Sequence, residues 1–119
     1  GQIYTAGSKD RLLDVVTLMK EYNISQLPVV NAEERLVGLV SEIDLLNHLL
    51  KTDHVHQANE TIEGMINTDV PVVGQNARLE TLMSLIKDRS AVVIVDNEDR
   101  VKGILTKIDI LDYLSSQLR

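Results

Sequence analysis

The sequence predicts an α/β (α+β) fold: two β-α-β-β-α halves related by a pseudo-twofold axis, with helices packed on small sheets. Three observations predict it. The phrase GLVSEID at 38–44 returns as GILTKID at 103–109, 65 positions on. The apolar residues are almost all Val, Ile and Leu, with no Phe and no Trp. Such segments suit sheets covered by helices. Finally, stretches of helical apolar spacing alternate with short apolar runs bounded by Asn/Asp-rich turns.

Taken in order, a short strand near residues 3–5 opens the first half. Leu12, Val15, Val16 and Met19 then recur at helical spacing, which predicts a helix over about 10–22. Leu79, Leu82, Met83 and Ile86 repeat that pattern 67 positions on, after a leading strand near 70–73. The offset then falls to 65, so the second copy is two residues shorter between helix and strand. Beyond that point residues 25–49 lie over 90–114 without a gap. Each copy holds an apolar run, a polar turn (NAEER, DNEDR), a second apolar run containing Gly, and a helix. Two runs around such a turn read as a β-hairpin. Pro28 has no N–H, which predicts a place at the start of its strand or on an edge. The expected organisation is a first repeat at 1–52, a polar linker at 53–61 and a second repeat at 62–119, where IEGMI (62–66) predicts a helical turn.

The second helix of each half is wider in its apolar face than a sheet needs. Ile43, Leu45, Leu46, Leu49 and Leu50 cover an arc of roughly 160°, and Ile108, Ile110, Leu111 and Leu114 cover much of the same arc. One stripe covers the sheet. The rest predicts burial against the other half or, in a symmetric homodimer, against a second chain.

Composition excludes several functions. The 119 residues suffice for one compact domain or two halves sharing a core. A formal charge of −6 with scattered basic residues excludes a nucleic-acid surface. With no cysteine there is no disulfide framework and no thiolate site, which fits a reducing, cytoplasmic compartment. No apolar stretch approaches the ~20 residues of a membrane span. The opening GQIYTAGSKD lacks a secretory pattern and enters a strand almost at once, as expected of a module cut from a longer polypeptide with Gly1 left by processing.

The repeated S/T-x-x-D admits two readings. Ser41/Asp44 and Thr106/Asp109 form capping boxes, in which hydroxyl and carboxylate satisfy free N–H groups at a helix start. The same strand-to-helix corner also offers N–H groups, a hydroxyl and a carboxylate to a ligand, and a carboxylate suits the paired hydroxyls of a ribose. Gly38 and Gly103, three residues earlier, permit close approach of a ligand or of neighbouring backbone.

These residues carry a resemblance. LPVVN followed by LVGLVSEID, and AVVIVD followed by VKGILTKID, resemble a tandem pair of CBS domains (a Bateman module) over essentially the whole chain. Within that family NISQLPVV, TIEGMI and GILTKIDILDYL are similar to the C-terminal regulatory module of cystathionine β-synthase and related pyridoxal-phosphate-dependent β-synthases. The resemblance implies that adenosyl ligands bind in clefts between the repeats. One cleft would join Thr5, Ile24, Gln26, Leu27 and Pro28 to Thr106, Ile108 and Asp109. By analogy Asp109 holds the ribose hydroxyls and Thr106 a hydroxyl or the ligand's tail. Ile24, Leu27 and Ile108 sandwich the adenine, whose edge meets backbone near 26–28. The second cleft would join Val72, Ala91, Val92 and Val93 to Ser41, Ile43 and Asp44. It ranks below the first because Val72 replaces Thr5 and Val93 replaces Pro28, which leaves Asp44, though intact, either a weaker ligand residue or a helix cap alone.

The implied ligand is S-adenosylmethionine or AMP, ADP or ATP, acting as an effector and not as an intrinsic cofactor. No arginine is evidently placed to grip a polyphosphate, and an acidic module favours the sulfonium. The implied partner is a catalytic domain of the same or another chain, a pyridoxal-phosphate-dependent β-synthase by the narrower likeness. The alternative is a dimerisation or autoinhibitory module with no bound nucleotide.

No enzyme is expected in the chain itself. Glu33, Glu34, Asp96, Glu98 and Asp99 are ordinary turn acids, not an acid/base pair. There is no cysteine nucleophile, no G-x-S-x-G and no G-K-[ST]. Asp53, His54 and His56 read as a solvated linker and not as a metal site.

Overall fold

A computed structural model describes residues 3–51 and 59–118. The first half runs β1 (Ala6–Gly7), α1 (Leu12–Glu21), β2 (Gln26–Val30), β3 (Leu36–Ser41) and α2 (Glu42–Leu49). The second runs β4 (Val72–Gly74), α3 (Leu79–Ile86), β5 (Ala91–Val95), β6 (Val101–Thr106) and α4 (Lys107–Ser116). A 3₁₀ turn at Glu63–Met65 precedes β4, within the IEGMI stretch that predicts a helical turn. Each half has the predicted β-α-β-β-α order and a three-stranded sheet, β1-β2-β3 and β4-β5-β6. The first pair of each sheet is parallel and the hairpin antiparallel. Asp53, His54 and His56 lie outside the described residues.

The first leading strand differs from expectation: β1 starts at Ala6, beyond residues 3–5, whereas β4, Val72–Gly74, overlaps the expected 70–73. Pro28 is also not at a strand start or edge but in the middle of the central strand β2. One cause accounts for both in the first half. In the second half the Val93 N–H donates to the Pro71 carbonyl at 3.0 Å, extending the parallel ladder. Pro28, aligned with Val93, has no N–H, so β1 pairs only with Val29 and Val30. The hairpin side does not need that donor either. Pro28 faces Leu39, whose own N–H and C=O turn away to Asn67 at 2.9 and 2.8 Å.

Strand alternation divides the apolar residues between three clusters. Leu27, Val29 and Val40 pack with Leu12, Val15, Met19 and Leu45. Val92 packs with Ile86 and Ile110. Between the sheets, Leu39 of β3 meets Ala91, Val93 and Val95 of β5. The halves also interlock through backbone. Ile62 is fully buried in the first half's core, held by Leu12 N–H to Glu60 O (2.7 Å) and Ile62 N–H to Asp10 O (3.1 Å). At the hairpin tips Leu36 N–H bonds Asp99 O and Val101 N–H bonds Glu34 O, each at 3.2 Å. This reciprocal pair relates the halves as equals.

The second helices leave the predicted excess outside. Only Leu45 of α2 and Ile110 of α4 are buried. Ile43, Leu46, Leu49, Ile108, Leu111 and Leu114 stay exposed on the monomer. No helix among the described residues is long and apolar enough to cross a membrane.

Candidate functional site

The first cleft is built where α1 ends. Asn23 adopts a left-handed φ of 54°, which its short polar side chain tolerates. Around it the Ile24 N–H bonds the Met19 carbonyl at 2.9 Å and the Asn23 N–H bonds the Lys20 carbonyl at 3.4 Å, a Schellman turn. This turn brings Tyr22 and Ile24 to the start of β2. The Tyr22 ring stacks on Tyr4, with centroids 4.2 Å apart and planes 22° from parallel. Tyr4, Tyr22, Ile24, Gln26 and Pro28 form one wall, and residues 102–105 of β6 with Asp109 of α4 form the other. The enclosed volume is about 610 Å³, within the range of small-molecule sites.

Ile24, Gln26, Pro28 and Asp109 thus come together as the sequence predicts. Leu27 does not. Its neighbours 26 and 28 face the cleft, so alternation turns its side chain into the core, and it cannot flank a ligand. Ile108, 59% exposed, is not among the residues lining this cleft, and neither is Thr5. Thr106 acts at one remove. Its N–H and its hydroxyl both donate to Asp109 Oδ2, at 2.8 and 2.9 Å. Asp109 Oδ1 takes no bond from any described residue.

The second cleft, about 360 Å³, gathers Ser41, Ile43, Asp44 and Ala91, as predicted. Val92 and Val93 are not in its wall, being wholly buried among the apolar clusters. Val72 is held in the sheet by its pairing with Val93 and also lies outside the wall. At this corner the serine half of the capping box stands alone, whereas Thr106 and Asp109 form both halves of theirs. Ser41 Oγ accepts the Asp44 N–H at 3.1 Å, and no described residue bonds the Asp44 carboxylate. Here Ser41, and not the Asp44 side chain, caps the helix.

A second correction concerns arginine. Arg89 lines this cleft, its Nη1 donating to the Asp69 carbonyl at 2.9 Å and its Nη2 lying 3.4 Å from Asp69 Oδ1. It stands where the first half has Tyr22, Asn23 and Ile24, the stretch that the second half shortens by two residues. Tyr4, Tyr22 and Arg89 are the residues that sequence reasoning missed. The length difference itself was the available signal.

The two glycines also separate. A Cβ on Gly38 would lie 2.5 Å from the Asn67 carbonyl oxygen, so this glycine admits neighbouring backbone. A Cβ on Gly103 would meet nothing closer than Ile94 Cδ1 at 3.5 Å, and Gly103 lies in the wall of the first cleft.

Two clefts at paired strand-to-helix corners of a duplicated β-α-β-β-α unit are consistent with one family, and the CBS domain family matches residues 2–51 and 62–116. The chain is a tandem pair of CBS domains. An uncharacterised protein, MJ1225 of Methanocaldococcus jannaschii, is 30% identical over 95% of the chain and 44% of its own length. The cystathionine β-synthase of Dictyostelium discoideum is 30% identical over 83% of the chain and 20% of its own length. The CBS pair thus spans less than half the length of these curated relatives. Among solved structures, the CBS domain pair of protein MJ0100 in complex with 5′-methylthioadenosine and S-adenosyl-L-methionine superposes with a TM-score of 0.81 at 26% identity, covering 98% of this chain and 91% of that one. CBSX2 in complex with AMP shares the fold at 21% identity, with a TM-score of 0.80 and coverage of 99% and 91%.

Proposed function

We propose that this CBS pair is a regulatory module that binds an adenosyl ligand between its repeats and controls a catalytic domain of the same or another chain. One observation carries the reading: Ile24, Gln26 and Pro28 of the first half and Asp109 of the second line a single cleft of about 610 Å³. Such a cleft offers apolar and aromatic surface to a base and, opposite, a carboxylate oxygen with no partner among the described residues to sugar hydroxyls. The second cleft offers Asp44 in the same role. The complexes of related pairs with methylthioadenosine and S-adenosylmethionine, and with AMP, support the ligand class. S-adenosylmethionine is favoured over a polyphosphate because three aspartates and one arginine line the second cleft, and only Lys102 and Asp109 supply charge in the first.

Matches to a cystathionine β-synthase, an inosine-5′-monophosphate dehydrogenase and a homoserine O-acetyltransferase support a portable regulator. We take a pyridoxal-phosphate-dependent β-synthase in the cytoplasm as its partner, on the first of these likenesses and the cysteine-free sequence. Ligand binding would shift that partner by a coupling of about 1–3 kcal/mol. The exposed apolar stripes on α2 and α4 support a symmetric dimer, which sedimentation equilibrium of Leu46→Glu and Leu111→Glu variants tests by loss of the dimer.

Titration calorimetry with adenosine, S-adenosylmethionine and AMP tests ligand binding. Asp109→Asn keeps an acceptor for the Thr106 N–H but removes the carboxylate, so it should lower affinity about tenfold. A wild-type chain that binds none of the three at millimolar concentration is a dimerisation or autoinhibitory module instead.

A further inference from the structure

We infer that the second half has an open seat for an extended polypeptide segment joined ahead of Gly1, the counterpart of the seat that residues 60–67 fill on the first half. The inference rests on the pseudo-twofold and not on the nucleotide reading.

On the first half the segment is gripped at both ends. Leu12 N–H bonds the Glu60 carbonyl at 2.7 Å and Ile62 N–H the Asp10 carbonyl at 3.1 Å. The Ile62 side chain is fully buried in one cluster with Leu12 and Val15. At the other end Leu39, on the edge of β3, exchanges both its backbone bonds with Asn67. Gly38 leaves the room for this, since a Cβ there would lie 2.5 Å from the Asn67 carbonyl oxygen.

Every one of these features recurs on the second half without a segment to use it. Leu79 and Ala77 align with Leu12 and Asp10, and among the described residues neither the Leu79 N–H nor the Ala77 carbonyl is bonded. Leu79 and Leu82 are only partly buried where Leu12 and Val15 are 5% and 3% exposed. Ile104 aligns with Leu39 and faces Val93, whose N–H goes to Pro71. The Ile104 N–H and C=O therefore point out from the edge of β6, and neither bonds a described residue. Gly103 keeps the notch, with nothing nearer to a Cβ than 3.5 Å. An exposed strand edge beside an uncovered apolar patch is what an added strand with one aliphatic anchor fits.

The occupant follows from the same alignment. A shift of 67 sends 60–67 to the eight positions directly ahead of Gly1, with the mate of Ile62 six residues before it. The entry is aligned too: Ile3 and Tyr4 line the first cleft beside Ile104, as Val70 and Pro71 line the second beside Leu39. Connecting polypeptide with a branched aliphatic side chain at that sixth position fits the seat. Asn67 lines the second cleft, so the last residue of the connector would stand in the wall of the first. A domain attached there would touch the ligand site directly.

The test is amide hydrogen exchange, read by NMR, on the full chain and on the full chain with ETIEGMIN, a copy of 60–67, fused directly ahead of Gly1. No nucleotide is added, so failure here leaves the ligand reading untouched. In the chain alone the Leu79 and Ile104 amides should exchange freely, and the extension should slow both by about tenfold or more. Aspartate in place of the extension's anchor isoleucine should abolish the slowing at Leu79. Gly103→Ala should abolish it at Ile104, because its methyl would meet the new backbone. Protection of both amides in the chain alone, or of neither in the extended chain, would overturn the inference. So would equal protection from an extension of scrambled sequence. Should the extended chain not fold, the same peptide added in trans at millimolar concentration decides: shifts at Leu79 and Ile104 support the seat, and their absence removes it.

Discussion

At the corner between β3 and α2 a serine hydroxyl caps the helix alone and no described residue bonds its aspartate; at the corner between β6 and α4 threonine and aspartate form both halves of a capping box. The same contrast runs through the rest of the duplication. Pro28 ends a parallel ladder that Val93 continues, and a three-residue Schellman segment in one half is a single arginine in the other. The buried faces of the strands and the order of elements are kept, because a shared core tolerates little change. Where chain ends meet solvent or a cleft, either residue solves the local hydrogen-bonding problem, and there the two halves have acquired different chemistry.

The largest test of this contrast lies at the paired glycines. Gly38→Ala would place its methyl 2.5 Å from a backbone oxygen that also closes the bridge to Asn67, so neither side can yield cheaply. We expect a loss of about 3 kcal/mol in urea unfolding. Gly103→Ala meets only an ordinary contact at 3.5 Å and should change stability by no more than about 0.5 kcal/mol. Equal losses would mean that the two glycines do the same job.

Next in size is the ladder. Val93→Pro imposes the first half's chemistry on the second and strands the Pro71 carbonyl, at a cost of about 2 kcal/mol. Hydrogen exchange gives the reverse test. Pro28→Val restores a donor opposite Tyr4, and its new amide should be protected if the first half can then extend β1.

The corners come third. Ser41→Ala and Asp109→Ala each remove a working cap and should cost about 1 kcal/mol. Asp44→Ala removes only a charge near the helix start, worth about 0.3 kcal/mol. Thermal unfolding without ligand separates the cases. If Asp44→Ala were as costly as Asp109→Ala, the two corners would be equivalent after all.

Most of the fold was legible because it rests on local periodicity repeated twice. The helical spacing from Leu12 to Met19 and the two hairpins around NAEER and DNEDR appear as predicted. Pro28 misled because its tolerance depends on where β1 stops and on Leu39 bonding Asn67, and both are tertiary facts. That Ile62, at the start of the second repeat, packs into the first half's core is not legible, since the backbone pairing of 60–62 with 10–12 has no local signature. Leu27 was a readable error: adjacent residues in a strand cannot both face a cleft. Tyr22 and Arg89 fell in the only stretch where the two copies differ in length, so a repeat-to-repeat comparison had no frame there.

The smallest expected effect concerns the hairpin turns. Asn31 Oδ1 accepts the N–H groups of Glu33 and Arg35, both at 3.0 Å. Asp96 Oδ1, 65 positions on, accepts those of Glu98 and Arg100 at 2.8 and 3.0 Å, and only Asp96 adds an ion pair, its Oδ2 lying 2.8 Å from Arg100 Nε. Desolvation pushes the Asp96 carboxyl up, but those two N–H groups and the Arg100 guanidinium outweigh it and hold the group below the usual carboxylate range. A carboxyl depressed in the folded state stabilises it above the unfolded pKa of about 4, and that contribution is lost as pH falls through the folded value. Asp96→Asn gives this turn the chemistry of the first one, keeping the Oδ1 bonds and deleting the charge. Its urea midpoint should fall slightly below wild type at neutral pH, less so in high salt, and the gap should narrow as pH falls below the usual carboxylate range. A gap that persisted there would mean that the ion pair is not what separates the two turns, whose backbones match, with Glu34 and Asp99 at a left-handed φ of 65° and 64°.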